Sequence, residues 1–313
     1  MNKIVVLGGN GFIGKNLITS LSKTFEGKIV AFDKFSDYKT STLKPFHELN
    51  NVTVISGNFL NRDDLANALA GATYVFHLVS STNPAISAND PFIDIDTNVR
   101  GSIELFELCA EQGVKKLIFL SSGGTIYGDV ETDIISETIV PSPRSPYGIG
   151  KLTIENYLRY FKFTHGLDYI VYRVANPYGP GQNIQGTQGV IPIFINKFIN
   201  NDPITIFGDG SMSRDYIYID DLIRMITGSF ASDAKYDVYN LGSGVGESVN
   251  QIVDAIEKSS GIIPKKKYLD KPLVFVDKSV LDISRFLNEF NINPEISLDE
   301  GIGKTWKYVK SLQ

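Results

Sequence analysis

The sequence predicts an α/β fold, a doubly wound parallel sheet joined to a smaller C-terminal α/β substrate-binding domain. Three observations predict it. The short apolar run Lys3-Ile4-Val5-Val6-Leu7 reads as a buried strand and passes straight into Gly8, Gly11 and Gly14 at G-x-x-G-x-x-G spacing. A helical pattern follows (Leu17, Ile18, Leu21), then a second apolar run from Lys28 to Phe32 that ends at Asp33. Strand and helix patterns keep alternating after that, which argues for crossover units covering both faces of one sheet. Such a Rossmann-type sheet gathers its ligands at the carboxyl ends of the strands.

The glycine turn has a chemical reading. Gly8 lets the chain turn sharply, Gly11 lets backbone approach a pyrophosphate, and Gly14 lets the helix lie close to the strand. The free N–H groups and dipole of the helix start, around Asn10, Phe12 and Ile13, favour phosphate charge. Asp33 stands where a carboxylate accepts hydrogen bonds from the adenosine ribose and repels a 2′-phosphate, so the expected cofactor is NAD rather than NADP.

The next elements follow the same alternation. Residues 51–57 read as a third strand, with Asn58 and Phe59 at its carboxyl end. Asp63 to Leu69 form a helix with an acidic first turn. Tyr74 to Val79 is a fourth strand, and Leu78, Val79 and Ser80 lie where it delivers the chain to the crevice. His77 has apolar flanks and reads as a structural histidine. Asn98 lies in a helix start, where local backbone bonding is its simplest role; that helix continues through Cys109. A fifth strand, Lys116 to Leu120, ends in Ser121-Ser122-Gly123-Gly124-Thr125-Ile126-Tyr127-Gly128.

Composition excludes several classes. The net charge of −5 and the short Lys265-Lys266-Lys267 run argue against nucleic acid as a partner. One cysteine, Cys109, rules out a disulfide framework or a cysteine metal cluster. No apolar run approaches the ~18 residues of a membrane span, and no signal peptide is evident, so a cytoplasmic protein without a membrane partner is expected.

Ser145-Pro146-Tyr147-Gly148-Ile149-Gly150-Lys151 opens a long helix. Tyr147 and Lys151 are four apart and therefore neighbours on one helical face. A phenol near pKa ~10 is a weak base at neutral pH, but an adjacent ammonium stabilises the phenolate. Tyr147 is thus expected to have a lowered pKa and to accept a proton from a substrate hydroxyl, with Lys151 also able to reach a ribose.

These parts together resemble the extended short-chain dehydrogenase/reductase superfamily, within it the NAD-dependent nucleotide-sugar epimerase/dehydratase family. The resemblance covers nearly the whole chain. It includes the glycine motif, Asp33, Asn98, the Ser-rich strand end before Tyr127-Gly128, and the Tyr147/Lys151 pair. It continues through Asn176-Pro177-Tyr178-Gly179-Pro180-Gly181, Phe207-Gly208-Asp209-Gly210, Arg214-Asp215-Tyr216 and Asp220-Asp221-Leu222.

The resemblance implies a third catalytic member, a hydroxyl that bonds the sugar. Its usual position falls on Gly123, so Ser122, or else Thr125, takes the role. It also implies cofactor contacts from Asn58 and Phe59, from Leu78 to Ser80, and from Asn98 and Ser121. The 4,6-dehydratases of the family carry an Asp-Glu pair where this chain has Gly124 and Thr125, and the decarboxylases place a glutamate there. What remains is chemistry that needs hydride transfer and one proton shuttle. A UDP-sugar 4-epimerase is expected, with a 4-ketosugar reductase of deoxysugar synthesis as the alternative.

In the second half, Asn176 follows a sixth strand on a Pro/Gly-rich loop. The resemblance gives it a substrate phosphate, with a second phosphate contact at the helix start by Val190. Phe207 ends a short strand and lies along the base or in the core. Arg214 would clamp the pyrophosphate through its guanidinium fork. Ser248 is a helix cap. Ser279 is small where a bulky residue restricts the pocket to plain hexoses, which favours N-acetyl hexosamines; the family's further phosphate-binding arginine has only Lys271 as a counterpart. The expected domains are 1–175 with 212–243 returning to it, and 176–211 with 244–313. A homodimer is expected by resemblance.

Overall fold

The computed structural model describes residues 2–35, 44–132, 134–186, 189–270 and 278–312. The chain divides into two units, residues 1–128, 141–173 and 226–239 in the first, and 129–140, 174–225 and 240–313 in the second.

The first unit is built on β1 (Lys3–Leu7), α1 (Phe12–Thr24), β2 (Lys28–Asp33), α2 (Lys44–His47), β3 (Val52–Ser56), α3 (Arg62–Leu69), β4 (Tyr74–His77) and α4 (Pro84–Asn89). A π-helical turn, Asp94–Val99, leads into α5 (Arg100–Glu111), followed by β5 (Lys116–Ser122), α6 (Pro146–His165) and β6 (Tyr169–Val174). The seven-stranded sheet runs β3-β2-β1-β4-β5-β6-β10, where β10 is Val238–Leu241. β1 has parallel neighbours on both sides, Val5 standing opposite Val30 of β2 and Val75 of β4. The order of connection reverses between β1 and β4, and this is the switch point at which such sheets bind ligands.

Strands buried on both faces read as continuous apolar runs. β1, β2, β4 and β5 do so here, and Leu7, Phe32, Val75, Leu105, Phe106, Leu117, Phe119, Leu158 and Phe161 share one core. Each such side chain, once buried, stabilises the fold by roughly 1.5–3 kcal/mol. Helix α6 begins where the sequence says it should. The Ser145 hydroxyl accepts the Gly148 N–H at 3.1 Å, Pro146 occupies the first turn, and Gly166 ends the helix in the left-handed conformation at φ 67°.

The second unit holds β7 (Asn176–Tyr178), α7 (Val190–Ile199), β8 (Ile204–Phe207), β9 (Ser213–Tyr218) and α8 (Ile219–Ser229), which runs on past the unit's boundary. After β10 come β11 (Gly246–Ser248), α9 (Val249–Ser260), β12 (Lys266–Leu269), β13 (Lys278–Ser279), α10 (Ser284–Phe290) and α11 (Leu298–Ser311). β9 pairs with β7, β11 and β13 in one small sheet, and β8 pairs with β12. Ser248 caps α9 in a full capping box with Gln251.

The domain boundaries differ from the expected ones. The segment that returns to the first unit is 226–239, not 212–243, because β9 is committed to β7, β11 and β13. Residues 129–140 join the second unit, where Ile135 bridges Leu281 and its carbonyl accepts from the Asn240 amide. Among the described residues no helix is long and apolar enough to cross a membrane, and no cluster of His, Cys, Asp and Glu could hold a metal.

Candidate active site

The glycine turn is built as its spacing requires. Gly8 has φ +85°, and a side chain there would meet the backbone of Leu78 and Val79 at 3.1–3.2 Å. A Cβ on Gly14 would lie 2.2 Å from the Gly8 carbonyl oxygen, so only glycine lets α1 start this close to β1. Gly11 is the N-cap of α1 and offers no side-chain acceptor, which leaves the first-turn N–H groups of Phe12 and Ile13 for an anion. Asp33 accepts the Asn10 N–H at 3.0 Å and the Lys34 N–H at 2.7 Å, which fixes its carboxylate beside the turn.

In this turn Asn10 Oδ1 is buried with no partner, and so are Ser121 Oγ at the end of β5 and Thr125 Oγ1 just after it. A buried polar atom left unpaired costs about 1–3 kcal/mol, so the orphaned Asn10 oxygen in the glycine turn marks a place built for a polar ligand. The glycine cradle, the acid and this oxygen fit a dinucleotide.

Other candidates have more structural roles. Asn58 is exposed; its N–H goes to Asp64 at 2.8 Å and its side chain accepts from Leu60 N at 3.2 Å. Phe59 turns its ring into the core, stacked on His77 at 5.2 Å, so only its main chain is left for a ligand. Buried His77 hydrogen-bonds Ser102 at 2.8 Å, and burial pushes its pKa down to about 3, so it is a neutral core group as expected.

Asn98 is buried in the π-helical turn. Its amide oxygen accepts the N–H and hydroxyl of Ser81, each at 3.0 Å, and its NH₂ donates to Thr82 Oγ1 and Asp94 Oδ1, each at 2.8 Å. It therefore fastens the loop leaving β4.

Tyr147 and Lys151 share one face of α6, and the Lys151 ammonium lies 5.8 Å from the Tyr147 ring centroid. Lys151 is buried. It donates to the Leu120 carbonyl at 3.1 Å and lies over the Phe119 ring at 4.8 Å, with two N–H donors to spare. Burial lowers its pKa to about 8, against the pull of Asp94 and Glu155. Ser80, near the Tyr147 phenol, donates its own hydroxyl to the Thr82 carbonyl at 3.1 Å.

One expectation is corrected here. The pKa of Tyr147 is raised, first by burial and also by Asp94, not lowered by its lysine. The reason is geometric: Lys151 reaches the ring and a backbone carbonyl, while the phenol lies in a desolvated place.

The two candidate third hydroxyls lie on the stretch between β5 and α6. Ser122 ends β5 half-buried, and its carbonyl accepts the Ile126 N–H at 3.3 Å. Thr125 packs its carbonyl against Gly148, where a Cβ would come within 2.7 Å, and its hydroxyl is buried without a partner.

Below them Arg173 of β6 makes a bidentate pair with Glu155 of α6 (3.1 and 2.6 Å) and donates to Tyr127 at 2.9 Å. Neither this buried pair nor Asp94 stands out in the sequence. An acid near a helix start reads as ordinary dipole compensation, and only its i, i+4 spacing from Asn98 hints otherwise.

In the second unit the small sheet gathers three substrate candidates. Asn176 on β7 donates to the Asp215 carbonyl of β9 at 2.8 Å, and Arg214 of β9 stands opposite Ser279 of β13 in register. Ser279 is buried. Val190 is the first residue of α7, whose N-cap Gly189 supplies no side-chain acceptor. Phe207 is half-buried, on the strand face opposite the core pair Ile204 and Ile206. Lys271 lies outside the described residues.

Residues 4–242 match the model of the NAD dependent epimerase/dehydratase family. The chain belongs to this family. A dTDP-4-dehydro-6-deoxyglucose reductase of Escherichia coli is 33% identical over 99% of this chain and 98% of its own length. The crystal structure of the Thermotoga maritima UDP-glucose 4-epimerase with UDP-glucose superimposes at TM-score 0.92, with 35% identity over 99% of this chain and 100% of that one. A UDP-N-acetylglucosamine 4-epimerase from Methanobrevibacter ruminantium, solved with UDP-N-acetylmuramic acid, gives 0.91 and 31% over 100% and 99%. The protein is thus an enzyme of the epimerase family with a Rossmann-type fold.

Proposed function

We propose that the protein is an NAD-dependent 4-epimerase of a UDP-sugar, of the UDP-GlcNAc/UDP-GalNAc or UDP-glucose/UDP-galactose kind. The observation that carries this is the pair of half-buried Tyr147 and buried Lys151 on one face of α6, with no acid at positions 124 and 125. Without such an acid, water loss has no proton donor. The family and the solved UDP-sugar 4-epimerases point the same way.

NAD, when bound, takes hydride from a sugar carbon and gives it back. The chain's own residues do the rest. Phe12 and Ile13 N–H groups hold the pyrophosphate, and Asp33 takes the ribose hydroxyls. Tyr147 accepts the C4 hydroxyl proton and later returns it, while the buried Lys151 ammonium offsets the phenolate and uses its remaining donors on a ribose. Ser122, or else Thr125, orients the sugar hydroxyl. In the second unit Asn176, Arg214 and the α7 start at Val190 hold the diphosphate. Phe207 lies along the base, and small Ser279 leaves room for an acetamido group.

Purified protein should interconvert one of these sugar pairs with no added reductant. Absence of interconversion across a panel of nucleotide sugars defeats the reading. The 33% identity to the reductase supports a second reading, a 4-ketosugar reductase. Stoichiometric consumption of NAD(P)H with a 4-keto substrate would favour it. A homodimer is also proposed, since α6 leaves Ile149, Tyr160 and Phe163 exposed; a monomer in sedimentation at micromolar concentration would oppose this.

A further inference from the structure

The π-helical turn before α5 holds a buried carboxylate that the proposed chemistry does not use. Asp94 is 2% exposed. Its Oδ1 accepts Thr82 Oγ1 at 2.5 Å and Asn98 Nδ2 at 2.8 Å, but its Oδ2 is buried without a partner. Its side chain packs on α6 at Gly150, where an added Cβ would lie 3.6 Å from the Asp94 Cβ and 3.8 Å from its Oδ1. Gly150 immediately precedes Lys151 and follows Tyr147 by three residues.

A half-satisfied buried carboxylate is costly unless a cation offsets it. Among the described residues the groups around Lys151 are few. On α6 are Tyr147 and Glu155, and Glu155 is committed to Arg173 of β6 in a bidentate pair. On β4 is His77, held neutral by burial. On β5 are the Leu120 carbonyl and the Phe119 ring. Among these groups Asp94 is the carboxylate left over, and Lys151 is the cation without an ion-pair partner of its own. The π turn is a departure from α geometry of the kind that recurs at functional sites; here it carries both Asp94 and Asn98.

We propose that Asp94 is a positioning residue for the Tyr147–Lys151 pair: its carboxylate is the counter-charge that keeps Lys151 an ammonium, and through Thr82 and Asn98 it fixes the loop leaving β4. It touches neither substrate nor cofactor. The proposal rests on the reading of Tyr147 and Lys151 as the working pair.

The test is Asp94→Asn, which keeps an acceptor for Thr82 and Asn98 and removes the charge. Lysine ¹⁵Nζ NMR of the full chain follows Lys151, its signal identified by loss in Lys151→Met. The Lys151 midpoint should fall by about one pH unit, while Asp96→Asn, at an exposed acid on the same turn, leaves it in place. Both limbs of the pH profile for sugar turnover should shift to lower pH, because Asp94 also raises the Tyr147 pKa. Asp94→Ser serves as the charge-free variant if the amide does not fold. An unchanged Lys151 midpoint in a folded variant overturns the proposal. A shifted midpoint in the variant, with no turnover of any sugar by the wild type, upholds the charge role of Asp94 and removes the epimerase reading instead.

Discussion

Replacing Lys151 with methionine should stabilise the ligand-free protein while abolishing its activity. Lys151 is buried, and burial lowers its pKa from 10.5 to about 8 with the attraction of Asp94 and Glu155 already included. A pKa lowered by one corresponds to ~1.4 kcal/mol, so holding the ammonium in the fold costs about 3 kcal/mol at neutral pH. Loss of the bond to the Leu120 carbonyl takes back about 1 kcal/mol, which leaves a gain of about 2 for the variant. The pH dependence gives the signature. Between pH 8 and 10.5 the unfolded chain binds more protons at this site than the folded one, so wild-type stability climbs with pH there. The variant lacks this dependence. Urea unfolding without cofactor should therefore show an advantage of about 2 kcal/mol at pH 7 that nearly vanishes by about pH 9.5. A variant less stable than wild type at pH 7, or a difference independent of pH, would show that the ammonium is not held at a cost, and the assignment of Lys151 as a functional group retained against stability would fail.

Ser122→Ala should reduce turnover by roughly ten- to a thousandfold with little change in cofactor retention, and Thr125→Ala should do less; steady-state kinetics on both variants decide which hydroxyl meets the sugar. Gly14→Ala drives a Cβ to 2.2 Å from the Gly8 carbonyl and should abolish retention of NAD through purification, read by absorbance and mass spectrometry of the released ligand. Arg173→Met leaves Glu155 as an uncompensated buried charge and should lower stability by about 3–5 kcal/mol in urea unfolding.

The sheet was legible because strands buried on both faces leave unbroken apolar runs, and Lys3–Leu7, Lys28–Asp33, Tyr74–His77 and Lys116–Ser122 are such runs. The start of α6 at Ser145-Pro146 and the cap at Ser248 were legible for an equally local reason, residues suited to a helix's first turn. What local pattern could not reveal is what depends on distant segments. The return of 226–239 to the first unit follows from which strands β9 pairs with. The raised pKa of Tyr147 follows from its desolvation, although its spacing from Lys151 suggested the opposite. The ring of Phe59 lies in the core because His77 is there to stack on it. Asp94 and the Glu155–Arg173 pair gain their meaning only from burial, and one letter does not report burial.

The central claim is that Tyr147 and Lys151 work with bound NAD to remove and return hydride at one sugar carbon. The most direct measurement is NMR of the nucleotide sugar after incubation with the purified protein in D₂O, with no reductant added. The account predicts interconversion of the C4 epimers with no deuterium at C4, and none with Tyr147→Phe. Deuterium appearing at C4, or full activity in Tyr147→Phe, would contradict it.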